Sequence, residues 1–164
     1  MLLRVSVFLV IGAILFLLFD RFGPYQSGRG YQPRPIERIG DGEVTLVRAF
    51  DGHFHANGRI TGRNGVGVPV AFLVDTGAST IAIGERLAER LDLGPCKPRR
   101  YGTAAGAVDG CEAVAEAVEV AGLRLHDVRV AVLPGNVSTL LGMNVLRHFR
   151  IEQHGATMIL RPAE

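Results

Sequence analysis

The sequence is poor in several features that mark large classes of protein. It contains no tryptophan and only two cysteines, and its charges nearly cancel at a formal net charge of +2. Two cysteines are too few for a disulfide scaffold or a four-ligand zinc site. A nearly neutral chain without a run of like charge also lacks the basic face that nucleic-acid-binding domains use. We therefore expect neither a structural zinc site nor a nucleic-acid partner.

The hydrophobic pattern predicts a small all-β domain over residues 43–164. Glycine is abundant, at 21 of 164 residues, and from Glu43 onward short apolar or alternating runs are separated by turn signals such as Asn64-Gly65. Only residues 85–91 and 142–149 have a helical pattern, and both are short. The predicted strands are residues 44–50, 53–60, 66–74, 80–83, 113–120, 123–133 and 157–160.

The N-terminal residues predict a membrane anchor followed by a linker. Arg4 is the only charge among the first 19 residues, and a helix of about 20 mostly apolar residues can cross a bilayer. The alternative is a cleaved signal peptide, but no small-x-small cleavage site follows Phe19. We expect residues 1–22 to form an uncleaved transmembrane signal anchor. Residues 23–42, rich in Gly, Pro and polar side chains, predict a linker.

The most informative stretch is an apolar run that ends in an aspartate. Residues 70–74 lead directly into Asp75, Thr76 and Gly77. A carboxylate behind an apolar strand costs several kcal/mol unless other groups stabilise it, so a chain that places one there usually uses it. Gly77 lets the backbone turn sharply and brings amide groups near the aspartate. Taken alone, the three residues could also be an ordinary turn at a strand end.

With its surroundings, this stretch resembles the active-site signature of retropepsin-like aspartic proteases, including their single-domain, membrane-anchored bacterial branch. The match is an apolar strand followed by Asp75, Thr76, Gly77 and Ala78. The resemblance implies that Asp75 is catalytic and that the next three residues form the active-site loop. It also implies an all-β, small closed-barrel-like fold with one short helix, acting on polypeptide substrates without a cofactor or metal.

A second element late in the chain strengthens the resemblance. Leu141 and Gly142, followed by Asn144, resemble the apolar-apolar-Gly element and short helix of these proteases. In the family this glycine lets its strand pass beneath the catalytic loop, so these residues are expected to form a supporting loop. Met143 stands where many retroviral enzymes carry arginine. We therefore do not expect a helix-anchoring ion pair there, and the dimer interface is expected to be built differently.

The chemistry of the family requires a second aspartate. Two carboxylates share one proton: the charged one activates a water, and the protonated one donates to the scissile carbonyl. The chain has only one Asp-Thr-Gly, because Asp51-Gly52 and Asp109-Gly110 lack both the apolar approach and the hydroxyl. A two-fold homodimer would supply the second Asp75. We expect an aspartic endopeptidase that cuts extended polypeptides at mainly apolar positions.

The resemblance also implies a mobile β-hairpin flap that closes over the substrate. Residues 100–108 match it, and their small side chains suit a mobile tip whose backbone bonds the peptide. A plain surface hairpin is the alternative. The expected substrate-binding tip consists of Thr103, Ala104, Ala105 and Gly106.

Cys96 and Cys111 flank this hairpin almost symmetrically. If the hairpin forms, the two cysteines could face each other at its base and form a disulfide, provided that the compartment is oxidising. Two unpaired thiols are the alternative. His53 and His55 lie two residues apart on a predicted strand, which suits a metal, but no third ligand is evident and a solvated strand face is expected.

Two other functions compete with proteolysis. Sugar-kinase-like and actin-like proteins also place an Asp-x-Gly turn after an apolar strand, but they need two α/β domains, for which this chain is too short. A membrane-anchored module of the same fold that only binds peptides is the second alternative. The arginines that follow the anchor favour a cytoplasmic domain. Resemblance to anchored bacterial members favours an inner-membrane, single-pass protein with a periplasmic protease domain.

Overall fold

The computed structural model describes residues 37–38, 42–104 and 106–163. The predicted anchor (residues 1–22) and most of the predicted linker (residues 23–42) lie outside these ranges. Within the described ranges, no helix is long and apolar enough to cross a membrane.

The described residues form eleven strands and two short helices, so the fold is mostly β, as predicted. The helices are α1 (Glu85–Leu91) and α2 (Met143–Leu146). The strands are β1 (Glu37–Arg38), β2 (Val44–Val47), β3 (His55–Thr61), β4 (Gly67–Val74), β5 (Ile81–Gly84), β6 (Lys97–Thr103), β7 (Gly106–Val120), β8 (Leu123–Leu133), β9 (Leu140–Leu141), β10 (Phe149–His154) and β11 (Thr157–Pro162).

Most of these elements follow the hydrophobic pattern, with differences at their ends. Helix α1 coincides with the predicted residues 85–91. The second helix is confined to four residues, because Phe149 already begins β10, a strand that was not among those predicted. Strand β9 is only two residues long and pairs with two neighbours, a feature that no local pattern announces.

Six strands close into a barrel, as the predicted closed-barrel-like fold requires. The strands follow one another in the order β8, β5, β9, β4, β3 and β7, and β7 pairs again with β8 to complete the ring. The long antiparallel pair β7–β8 runs from Cys111 opposite Val132 to Val120 opposite Leu123. Closure leaves the ring strands no unpaired edge along their paired length, which protects them from pairing with other chains.

The barrel interior is filled by aliphatic side chains and one phenylalanine. Ile60, Phe72, Ile81, Val118 and Val130 are completely buried. Each such side chain contributes about 1.5–3 kcal/mol relative to an exposed position. This packing holds β4 and β5, the strands on either side of the Asp75 loop.

A second sheet of three strands, in the order β10, β11 and β2, contains the chain's C-terminal strand. Strand β1 lies elsewhere, with Glu37 opposite Arg124 and Arg38 opposite Leu123 of β8. Residues 37 and 38 belong to the predicted linker, so this pairing brings part of that segment into the folded domain.

Candidate active site

The Asp75 loop begins where β4 ends, and its backbone is tied to the late part of the chain. The amide of Asp75 donates to the carbonyl of Leu141 over 3.1 Å. The carboxylate folds back over the loop, where Oδ1 accepts hydrogen bonds from the amides of Gly77 (2.8 Å) and Ala78 (3.2 Å). Backbone donors of this kind fix the orientation of a carboxylate.

Strand β9 carries the supporting loop between the two strands that flank Asp75. Leu140 and Leu141 pair in parallel with Leu73 and Val74 of β4, and Leu140 pairs antiparallel with Ala82 of β5. The chain from β4 to β5 therefore loops over an inserted third strand, with Asp75 at the start of that loop.

Gly142 lets β9 leave this crowded position. A Cβ atom at residue 142 would lie 2.3 Å from the carbonyl oxygen of Thr80 and 2.4 Å from its carbonyl carbon. Only glycine fits, which agrees with the prediction that this residue lets its strand pass beneath the loop.

Helix α2 begins immediately after Gly142 and braces the end of the Asp75 loop. The amides of Met143 and Asn144 donate to the carbonyls of Ala78 (2.8 Å) and Ser79 (3.1 Å). The side chain of Asn144 accepts from the amide of Ile81 (3.0 Å) and donates to the carbonyl of Arg129 (2.8 Å). One amide side chain thus links the end of the Asp75 loop to β8. Met143 lies beside Asn144, where many retroviral enzymes carry arginine, and its side chain is partly exposed.

The outer side of the Asp75 loop is open. Asp75 is half-buried, whereas Thr76 and Gly77 are exposed. Within the described part of the chain, the hydroxyl of Thr76 makes no hydrogen bond. The loop therefore presents a carboxylate and a free hydroxyl on one exposed surface.

The predicted flap is a real hairpin that projects beyond the sheet. Strands β6 and β7 pair from Lys97 opposite Glu112 to Thr103 opposite Gly106. Residues 106–110 of β7 have β6 as their only partner among the described strands, because pairing with β8 begins at Cys111. At the tip, the hydroxyl of Thr103 donates to the carbonyl of Gly106 over 2.7 Å. Ala104 is exposed in the turn, and Ala105 lies outside the described residues.

A disulfide joins Cys96 and Cys111 at the base of this hairpin, with their Cα atoms 5.4 Å apart. Cys111 is the first residue of β7 that pairs with β8, so the crosslink lies where the two-stranded ribbon leaves the barrel. Higher on the ribbon, burial raises the pKa of Tyr101, and the charge of Glu112 adds to this.

One neighbour of Asp75 was not recognised as such from the sequence. Strand β3 pairs antiparallel with β4, with His55 opposite Leu73, and the amide of Val74 donates to the carbonyl of Phe54 (2.9 Å). The assigned pairs end at His55 and Leu73, and the same register continued by two residues sets His53 opposite Asp75. From the sequence, His53 was expected on a solvated strand face. Its position relative to Asp75 could have been predicted only by counting residue pairs back from the turn between β3 and β4, with the correct turn length. No group of metal-ligating side chains occurs among the described residues.

Comparison with known proteins agrees with this geometry. Residues 62–148 match the model of the gag-polyprotein putative aspartyl protease family. The chain belongs to this family of retropepsin-like aspartic proteases. The matched region contains the Asp75 loop, the flap and the supporting loop.

Two individual proteins are also similar to this retropepsin-like chain. The crystal structure of a retropepsin-like aspartic protease from Rickettsia conorii superposes with a TM-score of 0.62 and 29% identity, covering 81% of this chain and 97% of that one. An uncharacterized protein of Rickettsia prowazekii is 35% identical over 113 residues, which are 66% of this chain and 46% of the relative. The chain thus matches less than half the length of that relative.

Proposed function

We propose that this protein is an aspartic endopeptidase whose active site forms when two copies bring their Asp75 loops together. The observation that carries the proposal is the Asp75 carboxylate, held by the amides of Gly77 and Ala78 on an exposed loop at the end of an apolar strand. The fold, the supporting loop and the flap hairpin are those that a retropepsin-like protease uses.

In the proposed reaction, the two Asp75 carboxyl groups share one proton. The charged carboxylate takes a proton from a water molecule, whose oxygen attacks the carbonyl carbon of the peptide bond. The other carboxyl group donates its proton to the carbonyl oxygen, giving a tetrahedral diol. The carboxyl group that took the water proton then donates it to the amide nitrogen, while the other carboxylate takes a proton from a hydroxyl of the diol. The C–N bond breaks to give an acid and an amine, and the pair of carboxyl groups again holds one proton. The hydrogen bonds within each loop would keep the two carboxylates oriented during this exchange.

The homodimer belongs to the proposal, because a single chain supplies one aspartate. Thr76 supports it, since its exposed hydroxyl is free to bond a second loop across a two-fold axis. The exposed side of Met143 is the nearby apolar surface that such an interface could cover. The ribbon of β6 and β7 from each protomer would then lie over the bound polypeptide and bond its backbone.

We further propose that residues 1–22 anchor the protein in the inner membrane with the protease domain in the periplasm. The disulfide between Cys96 and Cys111 supports this side, because disulfides persist in the periplasm and are rare in the cytoplasm. The test is labelling of the full chain in intact cells and in opened spheroplasts with a membrane-impermeant lysine reagent. Labelling of Lys97 only after the inner membrane is permeabilised would contradict a periplasmic domain.

The activity is tested by incubating the full chain, purified in mild detergent, with unfolded casein between pH 4 and 8. Asp75→Asn, which keeps the size of the side chain, should abolish cleavage. Asp92→Asn is the matched control: Asp92 ends α1 in a left-handed conformation that asparagine also adopts, so cleavage should persist.

Products that form with the intact chain and the control but not with Asp75→Asn would establish the activity, and their ends would give the side-chain preference. If the dimeric intact chain cuts nothing but still binds casein, the peptide-binding function replaces the protease.

A further inference from the structure

The register of β3 and β4, continued two residues beyond its last pair, sets His53 opposite the proposed catalytic aspartate. Because the amide of Val74 bonds to Phe54, just before β3, and that of Asp75 bonds to Leu141 on β9, His53 and Asp75 occupy a non-hydrogen-bonded position in this continued register. In such antiparallel pairs the Cα atoms are about 4.5 Å apart and the side chains are at their closest. The register therefore places His53 next to the reacting centre.

The two side chains also share a face of the sheet. Phe54, between the histidines, is buried in the core, so His53 and His55 point to the opposite face. Directly opposed residues of an antiparallel pair project to the same side, which puts Leu73 and Asp75 on that face as well. The carboxylate, an apolar side chain and an imidazole thus follow one another along the surface that a bound polypeptide would meet.

Asp51 is the neighbouring acid, and its carboxylate interacts electrostatically with both His55 and His53. Nε2 of His55 lies 2.7 Å from Oδ2 of Asp51, whose Oδ1 accepts a hydrogen bond from the amide of His53. The guanidinium of Arg48 packs over the ring of Phe54 and donates to the carbonyl of Gly155.

The backbone of His53 is fixed on both sides, because its carbonyl accepts from the amide of Ala49 over 2.8 Å. Its imidazole, by contrast, is exposed and makes no hydrogen bond to the part of the chain that the structure describes. A positioned ring with a free N–H at a binding surface is a hydrogen-bond donor for a ligand.

We propose that His53 is a specificity-determining residue that binds an acidic side chain of the polypeptide substrate close to the scissile bond. This inference rests on the proposed protease function and names a feature of the substrates. A carboxylate fits the imidazole because it accepts a charge-assisted hydrogen bond, whereas the uncharged amide of glutamine gains less. The bound acid lies beside Leu73, so its aliphatic stem contacts an apolar surface.

In a two-fold dimer, one His53 lies on each side of the cleavage site. Each Asp75 of the dimer is accompanied by its own His53, so each half of the substrate meets one imidazole. A substrate with an acidic residue on either side of the scissile bond should therefore be preferred over one with the matching amide. Asp75 itself carries out the reaction, and His53 acts only on substrate choice.

The test uses the full chain in detergent and peptides designed on a casein cleavage site. Each pair of peptides differs only by Glu or Gln, at one position within two residues of the scissile bond. At the most sensitive position on either side, the intact protein should cut the Glu peptide with a kcat/KM about five- to tenfold higher, mainly through a lower KM. His53→Ala should bring the ratio close to one, and His53→Arg should keep or increase it.

The matched control is His154→Ala. His154 is an exposed histidine at the end of β10, and this variant should keep the ratio of the intact protein. Equal cleavage of the Glu and Gln peptides at every position by the intact protein would overturn the inference, as would a preference that survives in His53→Ala. Either result leaves the protease function standing. An intact protein that cuts no peptide contradicts the proposed function itself, and the inference falls with it.

Discussion

At the residue scale, the Asp75 loop shows how few side chains the proposed chemistry needs from one chain. Asp75 supplies the carboxylate, two backbone amides orient it, and Asn144 ties the end of the loop to the barrel. Thr76 faces outward with a free hydroxyl. The remaining residues act through their size, and two of them give testable predictions.

Ala78 is predicted to set the pH range of activity. Its amide lies 3.2 Å from Oδ1 of Asp75, so a side chain at this position is close to the carboxylate. A hydroxyl there could donate to the charged form and favour it, and alanine cannot. We expect Ala78→Ser to move the acidic side of the profile of kcat/KM against pH to lower pH. Superimposable profiles would mean that the hydroxyl does not reach the carboxylate.

Gly142 is predicted to be intolerant of any side chain. A methyl group would overlap the backbone of Thr80 at 2.3 Å, and backbone cannot rotate away as a side chain can. We expect Gly142→Ala to lower the free energy of unfolding by about 3 kcal/mol, measured in urea at one fixed protein concentration. Gly102→Ala is the control, because an added methyl there meets no atom within 4 Å and stability should change by less than about 1 kcal/mol.

At the element scale, the hairpin of β6 and β7 combines a two-stranded tip with a crosslinked base. The tip extends beyond the last pair of β7 and β8, so it lacks the support of a third strand. The disulfide closes the base over a sequence separation of 15 residues. A crosslink at this point limits the movement of the ribbon as a whole and leaves its end free to bend.

Removal of the disulfide is predicted to affect both stability and substrate binding. A closed loop of about 15 residues stabilises a fold by about 3 kcal/mol through the unfolded state. We expect Cys96→Ser with Cys111→Ser to lower the free energy of unfolding by up to that amount and to raise KM several-fold, because the ribbon is less well placed.

Treatment of the original protein with dithiothreitol should reproduce both effects, and the double variant should not respond to the reagent. A KM that is unchanged after complete reduction would show that the disulfide does not help to place the hairpin for substrate binding.

At the scale of the whole molecule, the barrel is complete and the proposed active site is half-built. The ring of strands closes within one chain. In the proposed mechanism the second carboxylate comes from another protomer. Specific activity should therefore rise with protein concentration until all of the protein is dimeric. The monomer–dimer transition measured by sedimentation should have its midpoint at the same protein concentration as the rise in activity.

Thr76→Val is predicted to weaken that dimer while leaving the fold intact. The change removes the exposed hydroxyl and keeps the shape of the side chain. We expect the concentration for half-maximal activity to rise about tenfold, since a lost interfacial hydrogen bond costs about 1 kcal/mol or more. Thr45→Val, on the exposed surface of β2, should not change it. An unchanged midpoint for Thr76→Val would show that this hydroxyl does not bond across the axis.

The proposed anchor acts at the same scale. Confinement to a membrane raises the effective concentration of weakly associating protomers. We expect the full chain in sparse liposomes to have a higher specific activity than the same bulk concentration diluted in detergent micelles. Equal activities would remove membrane confinement as a control on dimer formation.

The sequence by itself determined the fold class, the Asp75 loop and its supporting element. These depend on local signals: an apolar run before Asp75, glycine where no Cβ fits, and alternating strands. Strand register was decided only by the tertiary structure. A tight two-residue turn at Asn64-Gly65 would pair Arg63 with Val66, but the observed loop pairs Thr61 with Gly67, one residue out of step.

That single step has a physical consequence, because successive side chains of a strand point to opposite faces. It places Phe54 in the core and sets His53 beside Asp75. The choice depends on how the whole barrel packs, through contacts among β3, β4 and β7 that lie far apart in the chain. Local sequence could specify that an aspartate sits at the end of a strand, and only the closed barrel could decide which residue lies next to it.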